Sequence, residues 1–223
     1  NPQTIEAGSP YNESGAVVTD NHDTNLSVNM IIDSSNVDIG VLGEYTVTYN
    51  VSDTAGNPAI EVIRTVNVTD TIAQDSAETA VSAYEDAPIT NLTEVASAEA
   101  LKAPADTAVT SVLNTTAHDA FALRISTRAT AIASARATLE LEVEATALEL
   151  SNAKVIAHND LTIALGNYIQ TNYTPENWII LIEFKTTGDT AIDNAVDLDG
   201  VITAKTTAVN GMAGVQVQPA EEI

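Results

Sequence analysis

The 223-residue sequence contains no cysteine. A disulfide framework, a thiol nucleophile and a thiolate metal site are therefore all excluded. Positive charge is scarce as well: 8 Lys and Arg stand against 31 Asp and Glu, for a formal net charge of −23. Nucleic acid and anionic membrane surfaces are held by clustered cations, so both are disfavoured as partners. Solubility in salt and cation binding are favoured instead. Aromatic residues make up only 4% of the chain, and Thr and Ala are abundant, so the cores should be light and aliphatic. No apolar run approaches the roughly 20 residues of a membrane-spanning helix. A signal peptide is missing, as fits a mature or excised chain. Gly-x-Ser-x-Gly, P-loop and dinucleotide glycine patterns do not occur. His22, His118 and His158 do not fall into a His-x-x-x-His spacing. No enzyme is expected.

What is present divides by period. In "YTVTYNVSD", Tyr45, Val47, Tyr49 and Val51 alternate with Thr46, Thr48, Asn50 and Ser52. Strict alternation marks a half-buried strand. "IEVIRTVNV" repeats it with Val62, Val66 and Val68 on one face, interrupted by Arg64, which is expected near a sheet edge. "AVVTD", "VNMIID" and the segment around Ile5 supply further short strands, separated by Gly, Asn and Asp turn chemistry. Residues 1–70 are thus expected to form an antiparallel β-sandwich. Seven Asn-x-Ser/Thr sequons, at Asn12, Asn25, Asn50, Asn67, Asn91, Asn114 and Asn172, act as acceptors only in a cell that carries the machinery.

After Asp70 glycine becomes rare, alanine dominates and the period turns helical. "FALRISTRATAIASARATLELEVEATALEL" spaces Ile125, Ile132 and Leu139 seven apart, with few breakers from about 118 to 159. One long helix, or two nearly continuous ones, is expected there. "YTPENW" reads as a helix start, with Thr174 as N-cap, Pro175 in the first helical position and Glu176 in the first turn. The segment holding Tyr84, Lys102 and Asp106-Thr107-Ala108-Val109 aligns with Tyr168, Lys185 and Asp189-Thr190-Ala191-Ile192 at an offset of about 83 residues, an internal repeat. Pro104 stands where the second copy has Thr187, so the first copy's middle helix should kink or break. The expected organisation is multidomain, α and β: an Ig-like sandwich over 1–70, then two helical-bundle modules over 71–150 and 151–223. The modules are expected to share a helix across about 120–165.

The ordered set "NPQTIEAGSPYNESGAVVTDNHD", "LGEYTVTYNVSDTAGN" and "IRTVNVTD" resembles bacterial surface immunoglobulin-like domains of the hyalin-repeat-related kind. "YTPENW", "DTAIDNA" and "GVITAKTTAVNGMAGV" resemble FIVAR-type three-helix modules of giant bacterial surface proteins, with residues 75–138 a weaker copy lacking the "YTPENW" start. Both resemblances imply an extracellular or cell-surface location and a non-catalytic structural part in a stalk, filament or surface array. The alternative they leave open is an adhesin module for a host, matrix or glycan ligand.

Two loops, "TDNHD" with Asp20, Asn21 and Asp23, and "VSDTAGN" with Asp53 and Asn57, are placed by such a sandwich at one end. Calcium takes six to eight loop oxygens, so it is the one cofactor these residues suggest; the plain reading is that they build turns. "DNAVDLDG" fails as an EF-hand, since Ala195 and Thr206 occupy its first and twelfth positions; it reads as a helix–helix turn closed by Gly200. Trp178 reads as bundle core beside Leu181 and Ile182. In the domains resembled, a strand precedes the "NPQTIE" segment, and the chain begins without it. Either that strand lies upstream in a longer protein, or a neighbouring subunit supplies it. In the second case the tail "GVQVQPAEEI", with Val215 and Val217 alternating against Gln216 and Gln218, is the donor, and head-to-tail self-association follows.

Overall fold

A computed structural model describes residues 2–218. The chain forms two compact units divided between Ala137 and Thr138. The first unit joins the sheet to the first helical copy, and the second holds the other copy.

Unit 1 opens with a four-stranded sheet. Strands β1 (Gln3–Glu6), β2 (Ile31–Asp33), β3 (Gly43–Asn50) and β4 (Val62–Thr69) are ordered β1-β4-β3-β2. β3 and β4 pair antiparallel, with Tyr45 opposite Val66 and Val47 opposite Arg64. β1 runs parallel to β4, placing Ile5 beside Val68. Alternation sends Val47, Tyr49 and Val66 to a buried face, against which Ile5, Tyr11, Ala16, Met30 and Val37 pack. Among the described residues there is no second sheet. The layer over this face is irregular chain from the β1–β2 connection, so the expected two-sheet sandwich is replaced by one mixed sheet under a coil cover. "AVVTD" belongs to that cover: it forms no strand ladder, and Val17 is exposed while Ala16 packs inward. Arg64 lies near an edge as expected: β1 covers β4 only from Val66 to Thr69, so Arg64 has β3 on one side and no strand on the other.

Helices α1 (Thr71–Asp86), α2 (Leu92–Ala100) and α3 (Lys102–Val109) follow, then α4 (Thr115–Gly166), α5 (Pro175–Asn194) and α6 (Leu198–Ala213). Helix α4 is continuous for 52 residues, as the scarcity of breakers predicts. The first copy's middle helix is interrupted at Leu101, between α2 and α3. The cause is Pro104, which has no N–H for the Ala100 carbonyl and whose ring crowds it. Aligned α5 has Thr187 there and runs unbroken for 20 residues.

The repeat is also visible in the caps. Asn91 accepts from Glu94 N, and Thr174, 83 positions on, accepts from Asn177 N. Asn114 accepts from Ala117 N at 3.1 Å, and Asp197, again 83 on, from Gly200 N at 2.7 Å. The first copy thus starts its middle helix with a different cap at the same register. Gly200 does not close the α5–α6 turn; it lies in the first turn of α6, beneath the Asp197 cap. Ala98 aligns with Leu181, Ala105 with Gly188 and Val109 with Ile192, and all six are buried.

In unit 1 the first part of α4 is tied down by arginines. Arg124 reaches Glu78 and Glu85 of α1, Arg128 donates to the Tyr84 and Ala87 carbonyls, and Arg136 pairs with Glu99 of α2. In unit 2, Ala157 and Leu161 of α4 share a core with Leu181 and Ile192 of α5 and Val201, Ala208 and Met212 of α6. Trp178 packs half-buried against this core, with its ring 6.4 Å from that of Tyr173.

Candidate functional site

The two acidic loops meet. The Asp23 carboxylate crosses from its own loop to the other, accepting from Thr54 N at 3.0 Å and Thr54 Oγ1 at 2.8 Å. Asp20 and Asp53 are used within their own loops. Asp20 Oδ1 accepts from the backbone N–H groups of His22 and Asp23, both at 2.7 Å. Asp53 accepts from Asn57 twice, once from its backbone and once from its side-chain amide, both at 2.7 Å. Asn21 is exposed beside them. The N–H donors of Asp23 and His22 hold the Asp20 carboxyl below the usual carboxylate range, against the nearby Asp53 charge. The Asn57 side chain and then its N–H do the same for Asp53. Among the described residues no three His, Cys, Asp or Glu side chains converge as a metal cage. Much of the carboxylate capacity of these loops is taken by donors within each loop and by Thr54 across them.

A second, unexpected carboxylate centre lies on the packed face of the sheet. Glu13 Oε1 accepts from Tyr49 Oη at 2.7 Å, Gly15 N at 2.6 Å and Arg64 Nη1 at 2.8 Å, while Oε2 takes the Tyr11 hydroxyl. Arg64 also donates to the Gly15 carbonyl at 2.7 Å and lies over the Tyr49 ring, 5.1 Å from its centroid. Burial would raise the Glu13 carboxyl, but the two phenols, the Gly15 N–H and the Arg64 charge outweigh it and hold it low. Burial first, and then the bond to Glu13, push the Tyr49 phenol well above its usual range. These groups fasten the irregular cover to the sheet. Sequence reasoning missed the centre because Glu13 finds Tyr49 and Arg64 across separations of 36 and 51 residues; the one available signal was a charged residue breaking the apolar face of β4.

Asp70 is the buried acid of the unit, 4% exposed. It stands at the N-cap of α1, yet its Oδ2 accepts from the N–H groups of Leu113 and Asn114 at 2.8 and 2.9 Å, while Gln74 serves Oδ1. One carboxylate therefore ties the strand–helix junction to the start of α4.

The tail lies against its own unit. Val215 packs on the unit 2 core, its N–H meets the Met212 carbonyl at 3.1 Å, and Gln218 N donates to Asn172 O at 2.8 Å. Asn177 Nδ2 holds the Gln216 carbonyl at 2.9 Å. Val217 points outward, 59% exposed. The rest of the tail, 219–223, falls outside the described residues.

With this geometry in view, the comparisons with known proteins add one finding. The family described as bacterial surface protein, Ig-like domain, matches residues 1–68. No curated protein and no solved structure matches this chain. No helix among the described residues is long and apolar enough to cross a membrane.

Proposed function

We propose that this chain is a non-catalytic structural segment of a bacterial cell-surface stalk, filament or array. The observation that carries the reading is the match of residues 1–68 to a bacterial surface protein Ig-like domain, set before a helical repeat in which one 52-residue helix, α4, serves both copies. A repeated helical unit with a shared helix suits a load-bearing spacer, and the FIVAR-like pattern of the second copy agrees with it. Immunogold electron microscopy of the source cells with antibody against this chain tests the proposal. Label on surface appendages or the outer envelope supports it, and label confined to the cell interior refutes it.

Head-to-tail assembly by strand addition is the finer form of the proposal. β1 is an edge strand of four residues, and edge strands take added strands. Calcium at Asp20, Asn21, Asp23, Asp53 and Asn57 is the other finer element, favoured by the contact of the two loops through Asp23. Calcium that binds the folded state alone raises its stability by mass action. Thermal melts with chelator and with millimolar calcium decide: a higher transition with calcium supports the site, and superposed curves exclude it. An adhesin module is the alternative; measurable affinity of the soluble chain for a glycan or matrix array would favour it.

A further inference from the structure

His158, on α4, carries a carboxylate at each ring nitrogen. Nδ1 lies 2.7 Å from Asp189 Oδ1, and Nε2 lies 3.0 Å from Asp193 Oδ1. Asp189 and Asp193 are one turn apart on α5, so they form one acidic step facing α4. A neutral imidazole has a single N–H and presents a lone pair at its other nitrogen. In that form one carboxylate would face a lone pair at hydrogen-bond distance. Only the imidazolium donates to both. We propose that His158 is a proton-operated clasp: with a proton bound it holds α5 to α4 through both aspartates, and when the proton leaves one of the two contacts is lost.

The charges around the clasp come from three helices. On α5, Lys185 Nζ sits 2.6 Å from Asp189 Oδ2, so Asp189 is shared between a permanent cation and the imidazole. On α4, Lys154, one turn before His158, donates to the Asp193 carbonyl at 2.7 Å. On α6, Lys205 is turned to Asp160 of α4 at 2.8 Å. The lysines oppose a proton on His158, whereas the two aspartates in direct contact favour it. The contact with Asp189 is the largest influence, burial works against it, and Asp193 adds to it; together they raise the imidazole above its ordinary value. Burial would raise Asp189, but Lys185 and His158 hold it low.

The signs follow from linkage. A raised histidine stabilises the fold fully below its unfolded value, near 6.5, and the stabilisation fades as pH rises through the folded value. A lowered aspartate stabilises above its unfolded value, near 3.9, and that part fades as pH falls through the folded value. The clasp is therefore tightest in the mildly acidic window between them and loosens toward alkaline pH. Unit 1 repeats the lysine–aspartate pair, Lys102 to Asp106 at 2.6 Å, but has Thr110 at the position of Asp193. The proton-sensitive element is specific to the second copy.

The full chain supplies its own reporter, since Trp178 is the only tryptophan and packs on the unit 2 core. Urea unfolding followed by Trp178 fluorescence, across pH 5.5 to 8.5, should show the midpoint falling as pH rises. The fall should vanish in His158→Gln and shrink in Asp193→Asn. Side-chain NMR of the wild type should show His158 titrating above an unstructured histidine, with both ring nitrogens protonated at the acid end, and Asp193→Asn should lower that midpoint. A His158 midpoint at or below that of a free histidine, or one unmoved by Asp193→Asn, overturns the proposal. So does a wild-type pH dependence equal to that of His158→Gln. Asp193, with a side chain 70% exposed, is a mild site to alter, so its variant keeps the test decisive even where His158→Gln folds poorly.

Discussion

Single residues decide two junctions in this protein. Glu13 is the more demanding, because four donors converge on it and Arg64 has no equivalent partner on the sheet face. Glu13→Ala would leave the Arg64 guanidinium, 18% exposed, without its carboxylate and free two phenols. Bonds to a charged acceptor are each worth about 1.5–3 kcal/mol, and partial solvent access tempers the sum, so we expect a loss of about 2 kcal/mol. Hydrogen exchange of the β3 and β4 amides would read it as reduced protection, and Glu13→Gln, which keeps an acceptor of the same shape, should cost less. The sign with pH is set by the lowered carboxyl: the Glu13 contribution is present above its ordinary value of 4.5 and fades as pH falls through the lowered one. Acid should therefore narrow the gap between wild type and Glu13→Gln. The second junction is Gly188, where a Cβ would stand 2.5 Å from Ala208 Cβ and 2.9 Å from Leu161 Cδ1. Neither helix backbone yields easily. Gly188→Ala gains about 1 kcal/mol of helix propensity but overpacks the α5–α6 contact by about 1–3 kcal/mol, so a net loss is expected in Trp178-monitored urea melts. Ala208→Gly in the same chain should restore part of it.

At the scale of elements, the repeat supplies a matched experiment. Pro104 splits the first copy's middle helix, and Thr187 leaves the second intact. Thr187→Pro should interrupt α5 after Glu183, whose carbonyl loses its partner, at a cost of about 3 kcal/mol or more, lowering the Trp178 transition and the helical circular dichroism together. Pro104→Ala should do the reverse on a smaller scale, adding helical signal as α2 and α3 merge. The long helix is the other element that period alone revealed: breakers are missing from the sequence, and α4 runs through. Its residues 141–149 are exposed on every side, so that stretch rests on backbone bonds and on the helix preference of Leu, Glu and Ala. Strands β3 and β4, the Thr174 cap and the break at Pro104 were legible for the same reason, since each depends on neighbours a few residues away. What sequence reading missed depends on distant partners. "AVVTD" is expected to be a strand, yet it lies as coil directly after Glu13 and Gly15, which bind Arg64 51 and 49 residues away. Arg64 does lie near an edge, past the end of β1, but its partner Glu13 is 51 residues off, which pattern reading does not reach. Asp23 reaches Thr54 of the other acidic loop, and which oxygens of Asp20 and Asp53 their own turns consume is a matter of loop backbone that no spacing rule encodes.

Across the whole molecule, charge and the tail bear on the proposed assembly. All eight cations are engaged internally: Arg64, Lys102, Arg124, Arg136, Lys185 and Lys205 with carboxylates, Arg128 and Lys154 with backbone carbonyls. With 31 acids against 8 bases the chain keeps a formal net charge of −23, and copies of it repel one another at low ionic strength. Salt that shortens the screening length to about 8–10 Å should promote any self-association, a trend that sedimentation velocity in a sodium chloride series would show. The tail then tells strand donation from mere crowding. Val215 is committed to the unit 2 core, so cutting the whole tail would damage the unit as well as any donor. Val217 is the cleaner probe: it is exposed, and proline there removes an N–H that a β-ladder needs while leaving the Gln218–Asn172 bond and the Val215 packing in place. If the tail pairs with β1 of another copy, Val217→Pro should abolish polymers seen by electron microscopy while the Trp178 melting curve stays where it was. Polymers that form as in the wild type would show that the tail is not the donor, and a lowered Trp178 transition would show that Val217 serves its own unit instead.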